Sequence, residues 1–405
     1  MFQSVNVNSN TQHYLTNTMI AVDALHQHQY RSSSSDTAKH KIPLHLMKNA
    51  DLDTTAPNTT PEEEEQQEPL LHKNKSLQQQ QRRARVGDVV TVELRRLRPS
   101  FENVEPLFDL RGSVSFVLGA GNYLPGLHDL LVDSAPGDAR NNVLLDAGWG
   151  DVDPALLYAV PTDRMPSLRG IEVGARLYLQ QTRRHCVVTE VTEDVVVFDA
   201  NPPLAGAYYD CDVTLTRVET CPPVFHNPTT TAQQQQQQQD DDGRYEVATF
   251  ALGCFWSGEL AFMRTPGVVG TKVGYTQGHA PHPSYDDVCA GTTGHTEAVM
   301  VVYDPDLVSF RKLVGIAVQR LGDDVYLLDQ VGNDQGTQYR HGIYYHTPRQ
   351  RTEAEDGLRR LGQGVKTELR PATDFYDAED FHQQYLLKGG QSAKKNAKER
   401  IRCYG

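Results

Sequence analysis

Seven consecutive glutamines, Gln233 to Gln239, run straight into Asp240-Asp241-Asp242-Gly243 and split this chain in two. Such a run has no apolar surface to set against the roughly 1–2 kcal/mol of backbone entropy that each ordered residue loses, so it reads as a solvated tether. Residues 1–83 have the same character, with Ser32 to Ser35, Glu62 to Glu65 and Gln78 to Gln81 as homopolymeric runs. The organisation that follows is a low-complexity segment over 1–83, a folded block over 84–220, a linker over 221–242 and a second folded block over 243–405. Each block has the size of an ordinary domain.

The formal charge of −13 argues against a nucleic-acid partner, and no apolar run approaches the length of a membrane span. Six cysteines (Cys186, Cys211, Cys221, Cys254, Cys289 and Cys403) form no CxxC pair, so neither a zinc site nor a disulfide framework is indicated. A reducing compartment follows. With no apolar leader and only Arg31 before Arg82, the default location is the cytoplasm.

The first block is strand-rich. Gly87 to Leu94, Arg176 to Leu179, Cys186 to Thr189 and Val195 to Phe198 read as strands, with a turn at Thr192-Glu193-Asp194, and predict an antiparallel barrel or half-barrel. The second block alternates. Strands at Tyr245 to Phe250 and Ala298 to Tyr303 are followed by a helix with Phe310, Leu313, Val314, Ala317 and Leu321 on one face; another is announced by Thr347-Pro348-Arg349-Gln350, with an N-cap, a first-turn proline and a glutamine placed for a capping box. This alternation predicts an α/β sandwich with helices on a mixed sheet.

Where the first of those strands meets a helix stands Gly253-Cys254-Phe255-Trp256. A thiol in the first turn of a helix faces unpaired N–H groups and the positive end of the dipole, which favour its thiolate. On the tetrapeptide alone, a buried structural cysteine is the commoner reading, and the motifs downstream reverse it.

That motif, together with Gly274-Tyr275-Thr276, Gly294-His295-Thr296-Glu297-Ala298-Val299, the run from Gly332 to Arg340 and the run from Ala378 to Leu386, resembles peptide methionine sulfoxide reductase A. The resemblance covers nearly all of residues 245–405. It implies that Cys254 attacks the sulfoxide sulfur while Glu297, kept protonated by burial, serves as the acid. The hydroxyls of Tyr275 and Tyr339 would complete the polar cradle, Phe255 and Trp256 would form the wall for the methyl group, and Asp334 would hold a water or a tyrosine in register. Glu259 matches the family and reads as structural. The implied substrate is methionine sulfoxide, as the S epimer, in proteins or peptides. No bound cofactor or metal is implied, and the reductant is thioredoxin or another dithiol acting on a monomer. Cys403 is the implied resolving thiol, on a tail that Gly389, Gly390 and the basic run from Lys394 to Arg402 would leave mobile. Two departures stand out: Ala397 where similar plant-type tails carry another cysteine, and Gly322-Asp323-Asp324-Val325 where the family has a His-Asp-Pro turn. Cys289 resembles a non-catalytic family cysteine.

The first block resembles SlyD-like FKBP-type prolyl isomerases through Gly87 to Val90, Phe108-Asp109, Phe116 to Gly119, Leu124 to Leu127, Gly148-Trp149-Gly150 and Asp199 to Gly206. Asp151 to Phe198 would be the chaperone-like insert, and Phe108, Asp109, Phe116, Leu124 and Trp149 would line a prolyl-isomerase pocket, apolar and favouring the twisted amide of unfolded polypeptide. Leu94, Leu127 and Cys211 stand where that family places aromatics, which leaves a binding barrel without turnover as the alternative. For the whole chain, a thiol hydrolase using His295, His341 or His382 as base has no supporting histidine pattern. A metal site at His279 and His282 lacks cysteine partners. A pure binding protein scaffolded by the glutamine tracts leaves the second block's motifs unexplained.

Overall fold

The computed structural model describes residues 82–100, 106–148, 150–164, 170–179, 184–226 and 243–402. Both the glutamine tract and most of the N-terminal low-complexity segment lie outside them.

In the first region, β1 (Val89–Pro99), β2 (Gly112–Val117), α1 (Pro125–Leu131) and β3 (Ala139–Asp146) precede an excursion, after which β8 (Tyr208–Glu219) returns to give an antiparallel sheet in the order β2-β1-β8-β3. Strand β8 buries every second side chain, Tyr209, Cys211, Val213 and Leu215. At Thr216 the register against β1 slips by one residue, and the Thr216 hydroxyl bonds the Thr91 carbonyl at 2.9 Å. The bulge moves the buried parity to Val218. The excursion itself is a separate antiparallel sheet of β4 (Leu157–Pro161), β5 (Arg176–Leu179), β6 (Arg184–Val191) and β7 (Val195–Asp199), ordered β4-β7-β6-β5 over its own small core of Cys186, Val188, Val196 and Phe198.

The second region holds a six-stranded sheet. Its elements in chain order are β9 (Glu246–Ala251), α2 (Phe255–Met263), β10 (Val268–Thr276), α3 (Tyr285–Cys289), β11 (Thr296–Tyr303), α4 (Phe310–Leu321), β12 (Gln330–Val331), β13 (Asp334–Gln335), β14 (Gly342–Tyr345), α5 (Pro348–Arg359), β15 (Glu368–Pro371), β16 (Phe375–Asp377) and α6 (Tyr385–Lys388). The sheet order is β15-β14-β9-β11-β10-β16, with β14 and β15 parallel and every other pair antiparallel. The five predicted helical positions from Phe310 to Leu321 are all buried. At α5 the Thr347 hydroxyl accepts from the Gln350 N–H as expected, but the Gln350 amide reaches past the N-cap to the His346 N–H at 2.8 Å, so the reciprocal half of the capping box sits one residue early.

Strands β10 and β11 are buried along their whole length, the signature of a sheet covered on both faces. One face packs on α2 and α4, with Phe250 stacked on Phe262 at 4.9 Å and near Phe310 at 6.0 Å. The other face carries Val269, Ala298, Met300, Val302 and Phe375, and it packs against Val89, Val117, Cys221 and Phe225 of the first region. Cys221 and Phe225 fall in the segment expected to be linker, so the first region's packing extends past residue 220. Their burial against the second sheet, not the local composition, decides that boundary. The Tyr245 hydroxyl also donates to Glu219 at 2.8 Å, and Lys272 lies over the Phe225 ring at 5.0 Å. The two regions therefore share an apolar interface.

Candidate active site

Strand β9 ends in Leu252-Gly253-Cys254. Gly253 has φ +73°, and a Cβ there would lie 2.6 Å from Val331, so both the left-handed turn and the close packing demand glycine. The turn leaves Cys254 as the N-cap of α2, one position outside the first turn where the sequence placed it, 8% exposed. The first N–H of the helix, that of Phe255, donates to Glu297 Oε2 at 3.0 Å. One of the amides expected to face a thiolate is thus engaged by a carboxyl beside it.

That carboxyl comes from β11. The register of β10 on β11 sets Tyr275 directly opposite Glu297. Glu297 is 2% exposed. Burial pushes its pKa up to about 8, the Phe255 N–H pulls the other way, and the negative charge of Asp334 adds to the rise, so at neutral pH the group holds a proton. Tyr275, buried, donates its hydroxyl to Glu379 Oε2 at 2.9 Å. Tyr339 stands in a short turn, Thr337–Tyr339, within the field of Glu297, Tyr285, Cys254 and Asp334. Burial first and the neighbouring carboxyls second raise the pKa values of Tyr275 and Tyr339 well above the ordinary phenol range, so both remain neutral hydrogen-bond donors.

The apolar wall is built from the first turn of α2. Phe255 and Trp256 are buried. Trp256 stacks on Tyr385 at 3.9 Å and 16°, and its indole N–H donates to His382 Nδ1 at 3.1 Å. A buried thiol, a protonated carboxyl, neutral phenols and an aromatic wall suit nucleophilic attack on a polar group whose oxygen must be protonated as it leaves. Among the described residues, no group of three or more His, Cys, Asp or Glu is placed to hold a metal ion.

The family model of peptide methionine sulfoxide reductase matches residues 246–402, the stretch that carries this site. A 164-residue alignment is 50% identical to peptide methionine sulfoxide reductase A2-1 of Oryza sativa subsp. japonica, covering 40% of this chain and 87% of the relative. The chain belongs to the peptide methionine sulfoxide reductase family. It is also 49% identical to the chloroplastic peptide methionine sulfoxide reductase A4 of Arabidopsis thaliana over 169 residues, covering 40% of this chain and 65% of that one. Among solved structures it is similar to methionine sulfoxide reductase A of Corynebacterium diphtheriae, with 37% identity over 40% of this chain and 84% of that chain and a TM-score of 0.34. Its second region is a methionine sulfoxide reductase A domain of the α/β type, and its activity is the reduction of peptide methionine sulfoxide.

Within the reductase domain, Cys254, Glu297, Tyr275, Tyr339, Phe255 and Trp256 gather around the start of α2, and Asp334 reaches the cluster electrostatically from the β12–β13 hairpin. Asp324, in the stretch that departs from the family's turn, anchors that hairpin by accepting the Gly332 N–H at 2.8 Å. Cys403 and Trp149 lie outside the described residues. Sequence reasoning passed over Tyr285 and Glu379. The Tyr285 hydroxyl is bonded to Cys289 and lies in the field of Glu297 and Cys254, and its N–H donates to Glu379 Oε1 at 2.9 Å. Burial opposes the charge of Glu379, but bonds from Tyr285 and Tyr275 outweigh it and hold the carboxyl below the usual range. The signal for Glu379 was its place in the motif from Ala378 to Leu386; Tyr285, at the head of a five-residue helix, had none. Of the histidines weighed as bases, His295 bonds the Ala280 carbonyl and His341 bonds Thr367 and the Leu327 carbonyl, so only His382 stands at the wall.

The expected mobile tail is stitched down over its described length. Arg264, at the end of α2, donates to the carbonyls of Ser392 and Glu399, both at 2.7 Å. Gln391 and Arg402 exchange two bonds that close the segment into a loop. Lys395 donates its ammonium to the carbonyls of Met263 and Val268 and its N–H to Asp109 of the first region. Phe108, Asp109 and Phe116 do come together, but they line a cavity of about 430 Å³ whose other wall is reductase, including Val268, Val269 and Lys395. Leu124 is fully buried in the adjoining core.

Proposed function

We propose that the chain reduces methionine sulfoxide, as the S epimer, in oxidised proteins and peptides through Cys254. The thiolate attacks sulfur as Glu297 delivers its proton to the oxygen, forming a bond from the Cys254 sulfur to the substrate sulfur; the hydroxyl then passes to Cys254 as the S–O bond and the new S–S bond break, leaving a sulfenic acid and releasing methionine as the thioether. Tyr339 donates a neutral hydrogen bond to the polar head, and Tyr275 and Tyr285, whose hydroxyls are held by Glu379 and Cys289 in the resting site, turn to it when substrate binds. Burial, with the charge of Asp334 adding to it, keeps Glu297 protonated, Asp334 holds a water or a tyrosine in register, and Phe255 and Trp256 hold the methyl group. Cys403 then displaces water from the sulfenic acid to form a disulfide, which thioredoxin or another dithiol reduces by two thiol–disulfide exchanges. The observation that carries this reading is Glu297, buried, protonated at neutral pH and bonded to the N–H next to Cys254. Peptide mapping after one turnover without reductant should give a Cys254–Cys403 disulfide. Accumulated sulfenic acid, or a Cys254–Cys289 bond, would remove Cys403 from its role.

The first region we read as a SlyD-like FKBP-type module that binds unfolded polypeptide, with residues 151–198 as its insert and Phe108, Asp109, Phe116, Leu124 and Trp149 as its pocket. What supports this is the separate sheet β4-β7-β6-β5 threaded between β3 and β8, at the place the resemblance implies for the insert. The chain acts as a cytoplasmic monomer. A protease-coupled proline assay on the full chain tests turnover; no acceleration would leave a binding barrel.

A further inference from the structure

The reductase wall is buttressed from the other region by one continuous run of hydrogen bonds. It starts at Asn122, in the loop after β2. Its side-chain oxygen accepts the Thr271 N–H at 3.0 Å, and its amide nitrogen donates to the Thr271 carbonyl and to the Thr271 hydroxyl oxygen, each at 3.0 Å. A hydroxyl that accepts there has its one proton left to give, and Thr271 gives it to Glu259 Oε1 at 3.2 Å. Glu259 in turn accepts the Gln384 N–H at 2.8 Å and the Gln384 amide at 3.2 Å. Those two bonds hold Gln384 at φ +51°, a left-handed conformation costly for a residue with a Cβ, and Gln384 is the cap from which α6 starts. The next residue is Tyr385, the ring stacked on Trp256. A Cβ on Gly121 would come within 2.8 Å of the Gln384 side chain, so the same loop touches both ends of the run.

Each polar group along this path is buried apart from Asn122 itself, which is half-buried. Glu259 has no cation bonded to it. Burial lifts its pKa to about 7, and the donors Thr271 and Gln384 pull it back toward the carboxylate. All the hydrogen bonds to this buried carboxyl come from neutral donors, with only the charge of Lys388, not bonded to it, beside them, so it is sensitive to the loss of any donor, and Asn122 sets the direction of the Thr271 hydroxyl.

We propose that Asn122, outside the family's matched residues, is a positioning residue for sulfoxide binding: through Thr271, Glu259 and Gln384 it fixes Tyr385 against Trp256. The proposal rests on the reading of Trp256 as the substrate wall. The relay acts on the wall and not on the thiol, so its loss weakens ground-state and transition-state binding alike and appears in KM.

The test uses the full chain, a methionine-sulfoxide tripeptide as substrate and dithiothreitol as reductant, with Asn122→Ala, Thr271→Val, the double variant and Trp256→Leu. One lost hydrogen bond corresponds to a KM rise of about 3- to 10-fold with kcat within about twofold, and the double variant should be no worse than either single one. In a Trp149→Phe background, Trp256 emission should shift to the red in both single variants. Thr271→Val keeps the two backbone bonds of Asn122, so an effect of Asn122→Ala without one of Thr271→Val assigns the change to docking and overturns the relay. A KM raised by Trp256→Leu but by neither relay variant also overturns it. An unchanged KM in Trp256→Leu overturns the wall assignment, and the proposal falls with it.

Discussion

The reductase site and the pocket of the first region sit on sheets that pack face to face, yet they keep their polar groups in opposite ways. Around α2 the interior takes in carboxyls and phenols at considerable cost: Glu297 and Glu259 are buried, and burial raises their pKa values to about 8 and about 7. In the cavity that Phe108 and Phe116 line, the carboxylates are already paired: Asp109 bonds the reductase tail and Asp304 takes the Arg244 guanidinium. Chemistry on a thiol needs particular protonation states, and only burial and neighbouring groups can set them. A pocket that binds chain needs shape and apolar surface, which many residues supply.

That contrast predicts a graded series. Cys254→Ser should lower sulfoxide reduction by about 10⁴-fold or more, because an alcohol is not ionised at neutral pH and is a poor nucleophile toward sulfur; retained turnover would dissolve the comparison. Glu297→Gln should cost about 10²- to 10³-fold in kcat and erase the alkaline limb near pH 8, where the native acid loses its proton. The same substitution should raise stability at alkaline pH. The folded pKa of about 8 lies above the unfolded value near 4.5, so the native chain loses stability as pH rises between them, and glutamine does not. Denaturant midpoints at pH 5 and pH 9 check the sign.

Tyr339→Phe should reduce kcat by about 10- to 100-fold, the cost of one donor to a developing oxyanion. Phe108→Leu should leave reductase turnover within about twofold while abolishing any isomerisation in the protease-coupled assay. A large loss of reductase activity in Phe108→Leu would show that the pocket belongs to the reductase site instead.

Much of the second region was legible. The strands ending at Phe250 and Tyr303 and the helix face from Phe310 to Leu321 follow from periodicity, and the family resemblance pointed to Cys254, Glu297, Tyr275 and Tyr339, which the structure brings together. What escaped was what lies between motifs. Tyr285 heads a short capped turn with no apolar period, and its place at the site rests on the Ser284 cap and on Glu379, which takes its N–H. Cys254 as N-cap instead of first-turn residue turns on the φ of Gly253 and the contact with Val331, which no local pattern encodes. In the first region, three of the four strands of the inserted sheet were read, two of them from valine-rich runs, while β4 (Leu157–Pro161) was not. The bulge at Thr216 was not, because one extra residue in a strand changes no composition.

By itself the sequence determined that the second region alternates strand and helix, and it singled out Cys254 at a strand-to-helix junction together with the motifs that resemble the reductase family. Those conclusions rest on local periodicity and on residue types whose chemistry travels with them. Only the tertiary structure decided that the regions share a core, that the tail is closed by Arg264 and Gln391, and that Asn122 is joined by hydrogen bonds through Thr271 and Glu259 to the cap of the helix that supports Trp256. The physical reason is that a hydrogen bond or a buried face between separate segments, from about a dozen to more than a hundred positions apart, leaves no period in either segment and exists only once both are folded.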